Sequence, residues 1–285
     1  MRVTFYGVRG STPCPCDANA RYGGNTSCVL VEVDDTSPPI LLDLGTGLRR
    51  FGETIGRDEA FRGVAFLSHL HWDHLQGLPF FGPVLRPTGS LDIHGPNPGR
   101  GLSLAEAVDR GIQPPLFPVR LADFQGEIRF HELTSEPVVV GNARVTSASV
   151  LHTGPTAGYR IDAQGMSLAY IPDHQQPGAD DLSVTDEVLE LCDGVDLLIH
   201  DTQYDEDEFV NKADWGHCTP AYALEIARLA GVRELAMFHH DPSHDDQFMD
   251  GYVEAARRAG ERHGVEVTGA VEERTIVLSP RTVRT

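Results

Sequence analysis

The sequence predicts an α/β protein, a four-layer αββα sandwich in which two β-sheets pack together and helices cover their outer faces. Three observations carry this. Short runs rich in β-branched and aromatic residues recur along the chain, each bounded by Gly, Pro or Asp. Helical periodicity lies between some of them and is most frequent in the second half. No internal repeat, low-complexity tract or linker divides the 285 residues, so 1–285 is expected to be a single domain with one core of ordinary size.

Taken in order, the first strands are 2–7 (RVTFYG), 27–33 (SCVLVEV), 39–45 (PILLDLG), 64–68 (VAFLS) and 91–95 (LDIHG). Residues 80–126 are rich in Pro and Gly and read as loop around one short helix at 102–110, a candidate cover over a site. Strands resume at 143–151 (ARVTSASVL), 157–162 (AGYRID) and 166–172 (MSLAYIP), followed by a helix at 183–192 and a strand at 195–201 (VDLLIHD). The helix in TPAYALEIARLAG has the clearest punctuation: Thr219 suits the N-cap, Pro220 the first helical position and Gly231 the end. Ala223, Ile226, Ala227 and Ala230 then form one apolar stripe. A strand at 233–240 (RELAMFHH), a helix at 245–263 and a strand at 265–269 (VEVTG) complete the pattern.

Composition narrows the function. Apolar residues at 40% and charged residues at 23% are values of a soluble globular protein. No apolar run approaches the roughly 20 residues that span a bilayer, and MRVTFYGVRG lacks the pattern of a signal peptide. A cytoplasmic protein with no membrane partner is therefore expected. Forty-two acidic against 23 basic residues give a net charge of −19, which disfavours extended contact with a nucleic-acid backbone. A bound cation reverses that field locally and draws a phosphate in. The five cysteines, an odd number, argue for reduced thiols. Cys14 and Cys16 in TPCPCD read as loop thiols unless further ligands complete a small metal site.

The chemistry concentrates in LSHLHWDHLQG, where His69, His71, Asp73 and His74 occupy six positions directly after the apolar run VAFL. In extended chain, residues two apart point the same way, so His69 and His71 can face one ion. If the chain then turns into helix, Asp73 and His74 face a second. Burying four such groups without a metal would leave several costly polar atoms. Further ligands are expected at later strand ends: His152 in VLHTG, Asp173 in YIPDH, and His239 or His240 in FHHDP.

SHLHWDHLQGLP resembles the HxHxDH motif of the metallo-β-lactamase superfamily, and the order of the other elements is similar to its phosphodiesterase branch, which includes ribonuclease Z and PhnP. GVRGSTP, YGGNTSCVLVEV, LLDLGTGLRRF, YIPD, LLIHDTQY, GHCTPAYALEIARLAGVREL and MFHH extend the match over nearly the whole chain, most weakly at 80–140. The resemblance implies that His69, His71 and His152 hold one metal, that Asp73, His74 and a final histidine hold another, and that Asp173 bridges them. Aligning VRELAMFH with the family's closing strand favours His239 over His240. GHCT is similar to the GHST element of ribonuclease Z, which makes His217 a candidate proton donor oriented by Asp201. Two divalent ions are implied; histidine and carboxylate suit zinc, manganese or iron.

The implied reaction is attack on phosphorus by a hydroxide shared between cations about 3.5–4 Å apart, with His217 protonating the leaving oxygen and Asp73 in the site. Ribonuclease Z carries a tRNA-gripping arm between its third metal histidine and its bridging aspartate. Here only 21 positions separate His152 from Asp173, enough for two strands and a turn. A small or cyclic phosphodiester is therefore the expected substrate, with RNA processing and lactone or thioester hydrolysis as alternatives, and a homodimer is compatible with the resemblance. Arg9, Arg21, Arg49 and Arg50 are candidate phosphate or base contacts that read more simply as solvated surface charges and stay outside the site, and His94, His131 and His263 read as histidines without ligand-type companions. His174, His200, His240 and His244 lie beside expected site residues and are candidates for supporting contacts.

Overall fold

The computed structural model describes residues 1–280. One mixed sheet comprises β1 (Arg2–Gly7), β2 (Cys28–Glu32), β3 (Ile40–Leu42), β4 (Phe61–Phe66), β5 (Gly89–Gly95), β6 (Glu127–Glu132) and β14 (Thr275–Val277), in the order β14-β1-β2-β3-β4-β5-β6. The other comprises β7 (Val138–Val140), β8 (Ala143–Ser149), β9 (Ala157–Ala163), β10 (Met166–Ile171), β11 (Leu197–Asp201), β12 (Glu234–Phe238) and β13 (Glu266–Gly269), in the order β13-β12-β11-β10-β9-β8-β7.

Side chains alternate across each pleat, so every strand with two apolar sets feeds two cores. Between the sheets, Val3, Phe5, Val31, Leu42 and Phe66 meet Tyr159, Ile161, Leu168, Tyr170, Ile199 and Phe238. Outside the first sheet, Leu41, Ala65, Leu91 and Ile93 pack under α1 (Gly47–Thr54) and α2 (Leu104–Gly111). Outside the second, Ala169, Ile171, Leu198, Leu235 and Met237 pack under α3 (Asp186–Cys192), α5 (Pro220–Leu229) and α6 (Asp246–Glu261). Near-continuous burial along β10, β11 and β12 follows from cover on both faces. The four expected helices lie within three residues of their expected bounds.

The sequence reading missed three strands and two helices. β6 (EIRFHE) and β7 (VVV) are short edge strands, mostly exposed or half-buried, and the short β14 caps the opposite edge. Helix α1 (GLRRFGET) carries two glycines that read as breakers, and α4 (Glu206–Lys212) has one buried apolar residue, Phe209. Four expected strands also end two or three residues early: β3 stops at Leu42, β4 at Phe66, β8 at Ser149 and β12 at Phe238. Just beyond two of these ends, Asp43 and His239 take φ of 61° and 59°, which turns the chain out of the ladder. No described helix is long and apolar enough to cross a membrane.

Candidate metal centre

Strands β3, β4, β5 and β6 run parallel, as do β10, β11, β12 and β13, so several carboxyl ends open along one edge of the sandwich. Ligands of open α/β sheets collect outside such ends. The chain leaving β4 carries His69 and His71 and closes into a single 3₁₀ turn, Trp72–His74, which separates Asp73 and His74 from the first pair. Asp173 follows β10, Asp201 ends β11, His239 follows β12, and His152 lies beyond β8. The two sheets are tied at this edge, where the Tyr159 hydroxyl donates to the Leu67 carbonyl and the Ala157 amide to Ser68 O (2.8 Å).

Seven side chains meet there. His69, His71 and His152 bring one nitrogen each to within 4.8 Å of one another, and Asp73, His74 and His239 do the same with their ligand-type atoms. Asp173 lies between the two groups. Its Oδ1 is 3.8 Å from His69 Nε2 and 3.7 Å from His152 Nε2, while its Oδ2 is 3.1 Å from His74 Nε2 and 3.4 Å from His239 Nε2. One carboxyl group thus turns an oxygen to each triad. His240, by contrast, points away and bonds Ala270 O through Nε2 (2.9 Å).

The nitrogens on the far side of four rings are held by the protein. His69 Nδ1 meets Ser68 Oγ (3.0 Å), His152 Nδ1 bonds Gly216 O (2.7 Å), and His239 Nδ1 faces Gln203 Oε1 (2.8 Å). His74 Nδ1 meets Asp43 Oδ2 (2.8 Å), and Asp43 also accepts the Ser68 amide (2.7 Å), the Ser68 hydroxyl (2.8 Å) and the Tyr170 hydroxyl (2.8 Å). Such outer bonds fix ring orientation and aim the inner nitrogens at the shared space. The sequence reading assigned no role to Asp43, Gln203, Ser68 or Tyr170. For Asp43 the signal was present: a lone carboxylate inside the apolar run ILLDLG, fully buried here.

Two glycines make room for these contacts. A Cβ on Gly10 would lie 2.4 Å from His239 Nδ1, and one on Gly216, where φ is +97°, would lie 2.5 Å from His152 Nδ1.

Electrostatics separates the two triads. Burial pushes His69, His71 and His152 below the ordinary imidazole range, so their lone pairs are available. At His74 burial opposes charge, but Asp73, Asp173 and Asp43 outweigh it and hold the ring well above that range. Asp73 and Asp173 are lowered despite burial by the facing histidines. Inner nitrogens nevertheless face one another: His71 Nδ1 and His152 Nε2 at 3.2 Å, His74 Nε2 and His239 Nε2 at 3.3 Å. His69 Nε2 and Asp173 Oδ2 are buried without a hydrogen-bond partner. Convergent nitrogens and orphaned polar atoms are what divalent cations satisfy, so this donor set fits such ions.

His217, buried at the start of the turn before α5, donates through Nδ1 to Asp201 Oδ2 (2.9 Å) and stacks on His239 with ring centroids 5.0 Å apart. Burial disfavours its charge, yet Asp201 and Asp173 raise its pKa above the ordinary value. Asp201 is held in turn by the amides of His174 (3.0 Å) and Gln203 (2.9 Å).

Two expectations need correction. Arg9 is fully buried, not a surface charge, and donates to Gly23 O, Asp241 O and His244 O, tying the first loop to the segment after His239. His94 and His131 do have companions: their rings stack at 4.6 Å, and His131 Nε2 meets Asp92 Oδ1 at 2.9 Å. Cys14 accepts from Asn19 Nδ2 (3.2 Å), and among the described residues no group of three close donors includes Cys14 or Cys16.

Residues 40–240 match the family described as the beta-lactamase superfamily domain. The chain is 27% identical to ribonuclease Z of Natronomonas pharaonis over 280 residues, covering 84% of this chain and 86% of that protein. It superposes on the metallo-beta-lactamase fold protein YhfI from Bacillus subtilis with a TM-score of 0.71 at 18% identity, covering 96% of this chain and 98% of that one. A diphosphatase from the PhnP family gives a TM-score of 0.69 at 16% identity, with 98% of both chains covered. Two facing mixed sheets with helices outside, a histidine and aspartate cluster at their shared edge and a family match over most of its length place this chain in the metallo-β-lactamase superfamily of hydrolases.

Proposed function

We propose that this protein is a phosphodiesterase that uses two divalent metal ions and acts on a small or cyclic phosphodiester. The observation that carries the reading is the position of Asp173, with one oxygen toward each of two triads. In this reading His69, His71 and His152 hold one ion, Asp73, His74 and His239 the other, and Asp173 both. Zinc and manganese suit these donors, and iron also fits. When bound, such a pair supplies Lewis acidity toward phosphoryl oxygens and a nucleophile usable near neutral pH.

The remaining steps belong to the chain's own groups. His217 is held by Asp201 through Nδ1, which leaves Nε2 to carry the proton that the departing oxygen needs. Asp201 and Asp173 raise its pKa above the ordinary imidazole value despite burial, which favours the charged ring for that task. Asp43, Ser68, Gln203 and the Gly216 carbonyl hold the imidazoles in register, so little reorganisation is left for the reaction.

Two observations support a small diester over tRNA. The interval from His152 to Asp173 is occupied by the hairpin β9–β10, and the chain carries a net charge of −19. The ribonuclease Z relatives favour RNA processing as a second reading.

The test is hydrolysis of bis(p-nitrophenyl) phosphate by protein reconstituted separately with zinc and manganese, beside Asp73→Ala and a lactone. Metal-dependent nitrophenol release that vanishes in Asp73→Ala is the expected result. Turnover of the lactone with none of the diester would refute the phosphodiesterase reading.

A further inference from the structure

A cavity of about 380 Å³ opens beside the site, with His69 and His71 in its wall. No acidic residue lines it, although the chain has 42. Pro96, Pro98 and Pro155 stiffen its rim, and its one permanently charged side chain is Arg100.

Arg100 stands at the tip of the loop between β5 and α2, and that loop is built to hold its shape. Asn97 donates to Glu132 Oε2 on β6 (2.7 Å) and accepts the Gly99 amide (2.8 Å); Leu102 N closes a turn on Gly99 O (3.2 Å). Ser103 and Glu106 then lock the start of α2 in a reciprocal cap. Between these anchors Gly99, Arg100 and Gly101 take φ of 71°, 56° and 70°. Glycine accepts this freely, whereas arginine does so at a cost, and a non-glycine residue held there marks a position set by something other than local preference. The Arg100 side chain makes no hydrogen bond or ion pair among the described residues, so its planar fork of donors is open to an oxyanion.

We infer that Arg100 is a specificity-determining residue that binds a second phosphate group carried by the diester substrate. This rests on the phosphodiesterase reading: the scissile phosphate belongs among the seven ligand side chains, and the cation sharing their cavity is left for another anionic group. In a protein of net charge −19, a single positive contact at the mouth discriminates strongly, because the surrounding field repels an anion that lacks it.

The test compares two esters that differ by one phosphate: thymidine 5′-(p-nitrophenyl phosphate) and its 3′-phosphorylated counterpart. Both are hydrolysed by the metal-loaded full chain and by Arg100→Asn and Arg100→Lys. Asparagine tolerates positive φ and keeps the loop, while lysine restores a charge without the fork. The expected result is a wild-type preference in kcat/KM of tenfold or more for the 3′-phosphorylated ester, carried by KM. That ratio should fall to near one in Arg100→Asn and be partly rescued in Arg100→Lys. A wild type without the preference, or an Arg100→Asn that keeps it, would overturn the assignment while leaving the diesterase standing. Calorimetric binding of thymidine 3′,5′-bisphosphate against thymidine 5′-monophosphate gives a readout without turnover. If neither ester is hydrolysed, the phosphodiesterase reading fails, and the bisphosphate increment, present or absent in wild type and lost or kept in Arg100→Asn, still decides the role of Arg100.

Discussion

At the scale of single residues, Asp43 shows how a buried acid acts without touching substrate. Four donors or rings converge on it, and His74 Nδ1 at 2.8 Å is the one that matters for the site. Outer partners of this kind are worth about 10–100-fold in metal affinity. Asp43→Asn keeps the volume but offers one oxygen where two are used, so zinc affinity measured by chelator competition should fall by roughly that factor. An unchanged affinity would mean that His74 is oriented by packing alone. Arg9 acts differently, as a cationic clip on three backbone carbonyls that fixes the distance between the first loop and the segment after His239. Neither role is visible from spacing, because both depend on partners that lie far away along the chain.

At the scale of elements, the site is a set of strand ends that stop early. Ending β3 at Leu42 and β12 at Phe238 frees Asp43 and His239 to take left-handed backbone and turn inward. The loop after β1 then closes over them: Gly10 donates to His240 O (3.0 Å), and the Ser11 amide donates to Asp73 Oδ2 (2.8 Å). Gly10 is needed because a side chain there has no space beside His239. In Gly10→Ala the Cβ contact of 2.4 Å must push His239 from its triad while leaving His69, His71 and His152 in place. If the chain holds two ions as proposed, metal content by mass spectrometry should drop from two per chain toward one, with an unaltered circular dichroism spectrum. Retention of two ions would show that the loop yields instead.

At the scale of the whole molecule, the cluster draws ligands from both sheets: the chain after β4 on one side, and the segments after β8, β10 and β12 on the other. Ions held there would act as a staple across the open edge of the sandwich, adding to the Tyr159 and Ala157 bonds. Binding to the folded state alone contributes about 4 kcal/mol at a free concentration a thousandfold above Kd. For a chain of this size that corresponds to roughly ten degrees in Tm. Chelation should lower Tm by that order, and restoring the ion should return it; a Tm indifferent to chelator would contradict a cluster that binds metal across both sheets.

Local sequence pattern is enough to give the layer order and to name most of the side chains that meet at the shared edge. Strand and helix periodicities are local, and SHLHWDH packs four ligand-type groups into a stretch too short to need tertiary information. One choice stays open until the two sheets are packed. FHHDP permits either histidine, and the end of β12 with the positive φ at His239 turns that ring toward Asp73 and Asp173 while His240 bonds Ala270. The same holds for Asp43, Gln203, the burial of Arg9 and the shared cavity of Arg100 with His69 and His71. Each of these depends on contacts between residues tens to hundreds of positions apart, and such contacts exist only once the two sheets have packed and their strand ends have met.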